Sequence, residues 1–125
     1  IVFKDKTRRN LNMLCRIIHP KTIRCIKDAV KASKKKLVVV DAPLLIETGL
    51  HTFVDRIVVV AAARKRREKF CKMKGMNESQ FCKRDALQLP TKEKFKYADF
   101  IIMNNMSKEK LKKEVCGICQ TLKRR

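Results

Sequence analysis

Apolar positions follow two different rhythms along this chain. From Thr7 to Ala32, Leu11, Leu14, Cys15 and Ile18, then Ile23, Ile26, Ala29 and Val30, recur at threes and fours, the period of a helix that turns one stripe toward a core. The spacing predicts two helices meeting at "HPKT". There Pro20 supplies a preset φ and lacks an N–H that a first helical turn leaves unpaired anyway. "KASKKK" closes the second helix as a charged turn.

The other rhythm is an unbroken β-branched run. "LVVVDAP", beginning at Leu37, and "DRIVVVAAA", beginning at Asp55, do not alternate with polar residues, so each reads as a strand buried on both faces of a parallel sheet. "ADFIIMNN", Ala98 to Asn105, is a weaker third instance. A short helix is expected from near Pro43, a lysine-rich helical stretch from Arg64 to Tyr97, and a last helix from about Lys108 to Leu122. Strands alternating with helices predict one α/β domain with crossover connections over residues 1–125. Neither an internal repeat nor a low-complexity linker interrupts it.

Charge adds a class of partner. Thirty-two lysines and arginines against twelve acids give +20 at pH 7 over 125 residues, which attracts polyanions such as nucleic acid, anionic lipid or nucleotide phosphates. The runs "KASKKK", "RKRREK" and "KRR" are scattered and stacking aromatics are few, so solvated helix faces are favoured over a nucleic-acid surface. The apolar runs, such as "IVVVAAA" from Ile57, fall short of the roughly 18 residues a spanning helix needs. A soluble chain with no membrane partner is expected.

Six cysteines occur. They lie in lysine-rich helical segments with no leader pattern at Ile1, which points to buried thiols in a reducing, cytoplasmic setting rather than to bridges. "CGIC" places Cys116 and Cys119 at i and i+3; with no second pair at ligand spacing, a helix core face is favoured over a metal site.

Asp41 closes the tetrad Leu37–Val40. In an open parallel sheet, ligands bind beyond the carboxyl ends of the strands, so this carboxylate could order a magnesium shell or accept a hydrogen bond from a substrate hydroxyl. It could equally cap the helix near Pro43.

"IIHPKT", "VVVDAPLLIETGL", "DRIVVV", "RDALQLP" and "YADFIIMNN" occur in an order and spacing that resembles the dephospho-coenzyme A kinase family, from about Asn10 to Val115. The most specific piece is D-x-P-L-L-x-E with a glycine two residues on. The resemblance implies part of a three-layer P-loop NTPase fold of the nucleoside-kinase kind, with a parallel sheet and a helical lid over residues 64–90. It also implies transfer of the γ-phosphoryl of ATP, with Mg2+, to the ribose 3′-hydroxyl of dephospho-coenzyme A. By the same resemblance His19, Asp41, Pro43 and Glu47 lie on the substrate side. Arg66, Lys69 and Arg84 belong to a lid over the ATP phosphates, and Asn104 to the adenine side.

Several positions depart from the family pattern. Arg66 stands where glutamine is usual, Lys69 where arginine is, Met73 near the next lid arginine, and Met106 at an expected glycine. No G-x-x-x-x-G-K-[ST] occurs in the sequence. That loop and a catalytic aspartate would precede Ile1, so the expectation is an inactive carboxyl-terminal portion of a kinase. A small basic nucleic-acid-binding protein and a non-catalytic kinase homologue are the alternatives. For single residues the alternatives are solvated helix faces for Arg66, Lys69 and Glu47, a turn asparagine for Asn104 and a helix-entry residue for His19.

Overall fold

A computed structural model describes residues 9–124, the side chain of Leu11 excepted. The described residues fall into two units, one ending at Leu50 and the other beginning at His51.

In the first unit the expected pair of helices is a single one, α1 (Arg9–Ala32), which runs through Pro20; the expected start at Thr7 and Arg8 lies outside the described residues. Pro20 removes one donor and leaves the carbonyl of Arg16 without its i+4 bond. The half-buried stripe Cys15, His19, Ile23, Ile26 and Val30 nevertheless keeps helical step across the proline, and this continuity outweighs one lost bond. Met13, Leu14, Ile17 and Ile18 are exposed.

The tetrad Leu37–Val40 is not a strand, which corrects the expectation. The one sheet among the described residues is built from two other segments, and Leu37, Val38 and Val39 are exposed. Branched side chains fit a pleated surface but do not supply the neighbour whose N–H and C=O groups make the ladder. Nor does a helix form at Pro43. Turn bonds run from Leu45 N–H to the carbonyl of Ala42 (3.1 Å), Thr48 to Leu44 (3.0 Å) and Gly49 to Ile46 (3.0 Å). The Thr48 hydroxyl competes for the Leu44 carbonyl at 2.8 Å, and Gly49 at φ 74° closes the segment.

The second unit is α/β. A 3-10 turn, Leu50–Phe53, spans the boundary between the two units in sequence and is followed by β1 (Val58–Ala61). Three helices follow, α2 (Arg64–Met73), α3 (Glu78–Asp85) and α4 (Thr91–Phe95), then β2 (Phe100–Met103) and α5 (Lys108–Lys123). The strands pair in parallel, Val58 beside Phe100 through Ala61 beside Met103, as a helical crossover requires. Asp99 fixes the start of this register: its Oδ2 accepts from the Ile57 N–H at 2.8 Å, and its own N–H donates to the Ile57 carbonyl at 2.9 Å.

Burial on the strands alternates instead of covering both faces. Val59 and Ala61 are buried while Val58 and Val60 are exposed; on β2, Ile102 is buried while Ile101 and Met103 are exposed. Laterally paired residues share a face, so β1 is covered on one side of the sheet and β2 on the other. The sheet is therefore open on the diagonal. With Phe81 and Leu50, these residues are the buried apolar side chains among those described.

Candidate functional site

The segment after β1 builds the most elaborate polar structure in the second unit. Helix α2 starts with no side-chain cap: the N-cap, Ala63, offers only its carbonyl, to the N–H groups of Arg66 (3.0 Å) and Arg67 (3.1 Å). It ends at Gly75, whose φ of 78° is open to glycine without strain. The bonds Gly75 N–H to Lys72 carbonyl (3.0 Å) and Met76 N–H to Cys71 carbonyl (3.0 Å) make a Schellman stop. Two residues on, Asn77 and Gln80 form a reciprocal capping box that starts α3. The chain thus turns back sharply, and α3 packs on α2.

Between them sits Phe81, 6% exposed. The guanidinium carbons of Arg64 and Arg67 lie 5.8 and 5.6 Å from its ring centre, within cation–π range. Each arginine has its own acid. Arg64 Nε donates to Glu68 at 2.7 Å and its Nη2 to Cys82 Sγ at 3.3 Å; Arg67 pairs with Asp85. The Arg64 guanidinium is held even more firmly protonated than usual, chiefly by the hydrogen bond to Glu68, then by the neighbouring Cys82 sulfur and the charge of the Glu68 carboxylate.

A cleft of about 610 Å³ opens along β1 and this hairpin, a volume suited to a small ligand. Val59, Val60 and Ala62 form an apolar side; Arg64, Arg67, Lys94 and Gln88 bring charge and an amide, with Asp85 the acid among its lining residues. Cations outnumber acids there, which suits an anion with an apolar or aromatic part.

A second polar network ties the loop after β2 to the start of α2. Asn104 N–H donates to the Ala61 carbonyl at 2.7 Å. Asn105 Oδ1 accepts from the Ala63 N–H at 2.7 Å, and the Met106 carbonyl accepts from Arg66 Nη2 at 3.2 Å.

The residues expected from the sequence divide between the units. His19 is half-buried on α1; Asp41, Pro43 and Glu47 are exposed in the extended and turn segments that follow. In the second unit, Lys69 and Arg84 are exposed on α2 and α3, while Arg66 is half-buried and Asn104 half-buried beyond β2. The structure joins Arg66 to the Asn104 loop through Met106. Arg64, Arg67, Asp85 and Asn105 were not singled out from the sequence. Of these, Arg64 with Glu68 at i+4 carries a readable signal; the rest are paired across 18 or 42 positions and have none.

Residues 1–110 match the family model of dephospho-CoA kinase. This chain belongs to the dephospho-CoA kinase family. It is 34% identical to the dephospho-CoA kinase of Fusobacterium nucleatum over 123 residues, covering 98% of this chain and 63% of that protein. Against that of Aquifex aeolicus it is 34% identical over 125 residues, covering 99% and 63%, and against that of Mesorhizobium japonicum 37% over 118 residues, covering 90% and 59%. The chain therefore spans about three-fifths of the length of these relatives. The dephospho-CoA kinase match takes in α1, the hairpin α2–α3, both strands and the first turn of α5. A parallel sheet joined by crossover helices agrees with part of the P-loop kinase fold. Among the described residues no helix is long and apolar enough to cross a membrane.

Proposed function

We propose that this chain supplies the acceptor side, lid and nucleobase side of a dephospho-CoA kinase, which phosphorylates the ribose 3′-hydroxyl of dephospho-CoA with ATP. The observation that carries the reading is the cationic cleft between β1 and the α2–α3 hairpin, in a chain matched to that family over residues 1–110. Phosphoryl transfer asks a protein chiefly for positioning and for positive charge around the transferring group. Arg64, Arg67, Lys69 and Arg84 supply charge on the two helices, and residues 64–90 act as the lid. On the acceptor side stand His19, Asp41, Pro43 and Glu47, with His19 given no catalytic role.

Magnesium fits as a companion of the nucleotide rather than as a resident ion. Among the described residues no three His, Cys, Asp or Glu side chains converge on a metal position, whereas Mg2+ is commonly held by one or two carboxylates, water and substrate phosphates. Asp41 is an exposed carboxylate available to its water shell. With no glycine-rich phosphate loop in the 125 residues, the chain alone binds nucleotide without turning it over. Titration calorimetry of the purified chain with ATP and Mg2+, and with dephospho-CoA, tests this. Saturable binding of both without coenzyme A formation is expected; no binding of either ligand rejects the reading.

A further inference from the structure

We infer that Arg66 is a positioning residue for the nucleobase loop, Asn104–Met106, and not a ligand of phosphate. The guanidinium is already engaged within the chain: Nη2 donates to the Met106 carbonyl at 3.2 Å, and its central carbon lies over the exposed Phe70 ring, 5.5 Å from the ring centre. Its Nε is buried with no hydrogen-bond partner. An arginine turned this way offers little to an arriving anion, and re-aiming it would strip the Met106 carbonyl of its donor.

The same loop is held at two further points, Asn104 N–H on the Ala61 carbonyl and Asn105 Oδ1 on the Ala63 N–H, both 2.7 Å. All three anchors fall on Ala61–Arg66, the end of β1 and the first turn of α2. Arg66 and Asn105 together fasten the loop to the base of the lid, so the loop and the root of α2 move as one piece. A base seated against that loop is positioned by Arg66 at second hand. This rests on the proposal that the chain handles a nucleotide with its base near Asn104.

Two probes separate the roles: ATP, which has a base, and inorganic tripolyphosphate, which has none. In the purified chain Arg66→Ala is expected to weaken ATP about tenfold, the worth of one charge-assisted hydrogen bond, and to leave tripolyphosphate affinity unchanged. Asn105→Ala should act in the same direction, and Arg66→Lys, which keeps a donor for the carbonyl, should recover most of the ATP affinity. Amide hydrogen exchange over 104–107 should quicken in both alanine variants. Equal loss for ATP and tripolyphosphate would make Arg66 a phosphate ligand and overturn the inference. So would ATP affinity indifferent to both alanine substitutions. Should Arg66→Ala unfold, Asn105→Ala and Arg66→Lys decide alone. A wild-type chain that binds neither probe sinks the nucleotide reading itself, and this inference with it.

Discussion

The guanidinium of Arg67 on α2 is paired with the carboxylate of Asp85 on α3, with Phe81 of the same hairpin beneath it at 5.6 Å. Their side chains are 36% and 28% exposed, so water screens the charge and the pair contributes about 1 kcal/mol at most. A double-mutant cycle on Arg67→Ala and Asp85→Ala is expected to give a coupling of about 0.5–1 kcal/mol by urea denaturation. Phe81→Ala, by contrast, removes a buried ring and should cost about 3 kcal/mol or more, enough to melt the hairpin. A coupling indistinguishable from zero would mean the pair does not hold the two helices together.

Val58–Ala61 was legible through an unbroken β-branched run, a strong local signal, and Phe100–Met103 through a weaker apolar one; each found the other as partner. Leu37–Val40 carries the same signal and forms no strand, since pairing depends on a neighbour that no local pattern encodes. Pro20 misled for a related reason: proline marks a helix boundary on average, and here the apolar stripe on both sides stays in phase. The cleft shows the remaining limit. Lys69 and Arg84 were expected from a family pattern and stand exposed outside the cleft's lining, whereas Arg67 with Asp85, and Asn105 with Ala63, meet only after the chain has folded back.

The reversal between α2 and α3 rests on Gly75 at φ 78°. A Cβ there would meet nothing within 4 Å, so the cost of Gly75→Ala is backbone strain alone, about 1 kcal/mol. The expected result is a lower urea midpoint with an unchanged m-value. Asn77→Ala, which removes the capping box, should cost about the same, and the two effects should add only partly because both act on one turn. A Gly75→Ala protein as stable as the parent would show that the left-handed stop is not maintained in solution.

The diagonal burial of the sheet makes neighbouring valines unequal. Val59 is 7% exposed and Val60 61%. Val59→Ala should destabilise by about 1–2 kcal/mol through lost burial and an unfilled space, while Val60→Thr should stay within about 0.5 kcal/mol. Thermal melts of the two variants side by side check this. If Val60→Thr proves the costlier change, its face is covered in solution and the open-diagonal description of β1 is wrong.

Acid sensitivity should appear at the start of α5. The Glu109 carboxyl is held below its ordinary pKa, first by its own backbone N–H and then by Ser107, at a helix end where anions are favoured. Because the folded-state value is the depressed one, the stabilisation is complete above the unfolded-state pKa, near 4.3. It fades as pH falls through the folded value below that. Stability measured from pH 6 down to pH 3 should therefore decline, and Glu109→Gln should remove part of the decline while leaving a lower plateau at pH 6. Ser107, whose Oγ accepts from the Lys110 N–H at 3.4 Å, contributes by a neutral hydrogen bond to the same turn. Ser107→Ala should then lower stability at every pH and also flatten the acid limb, because the carboxylate loses one of its partners. Identical acid limbs for the parent and Glu109→Gln would assign the pH dependence to other carboxylates.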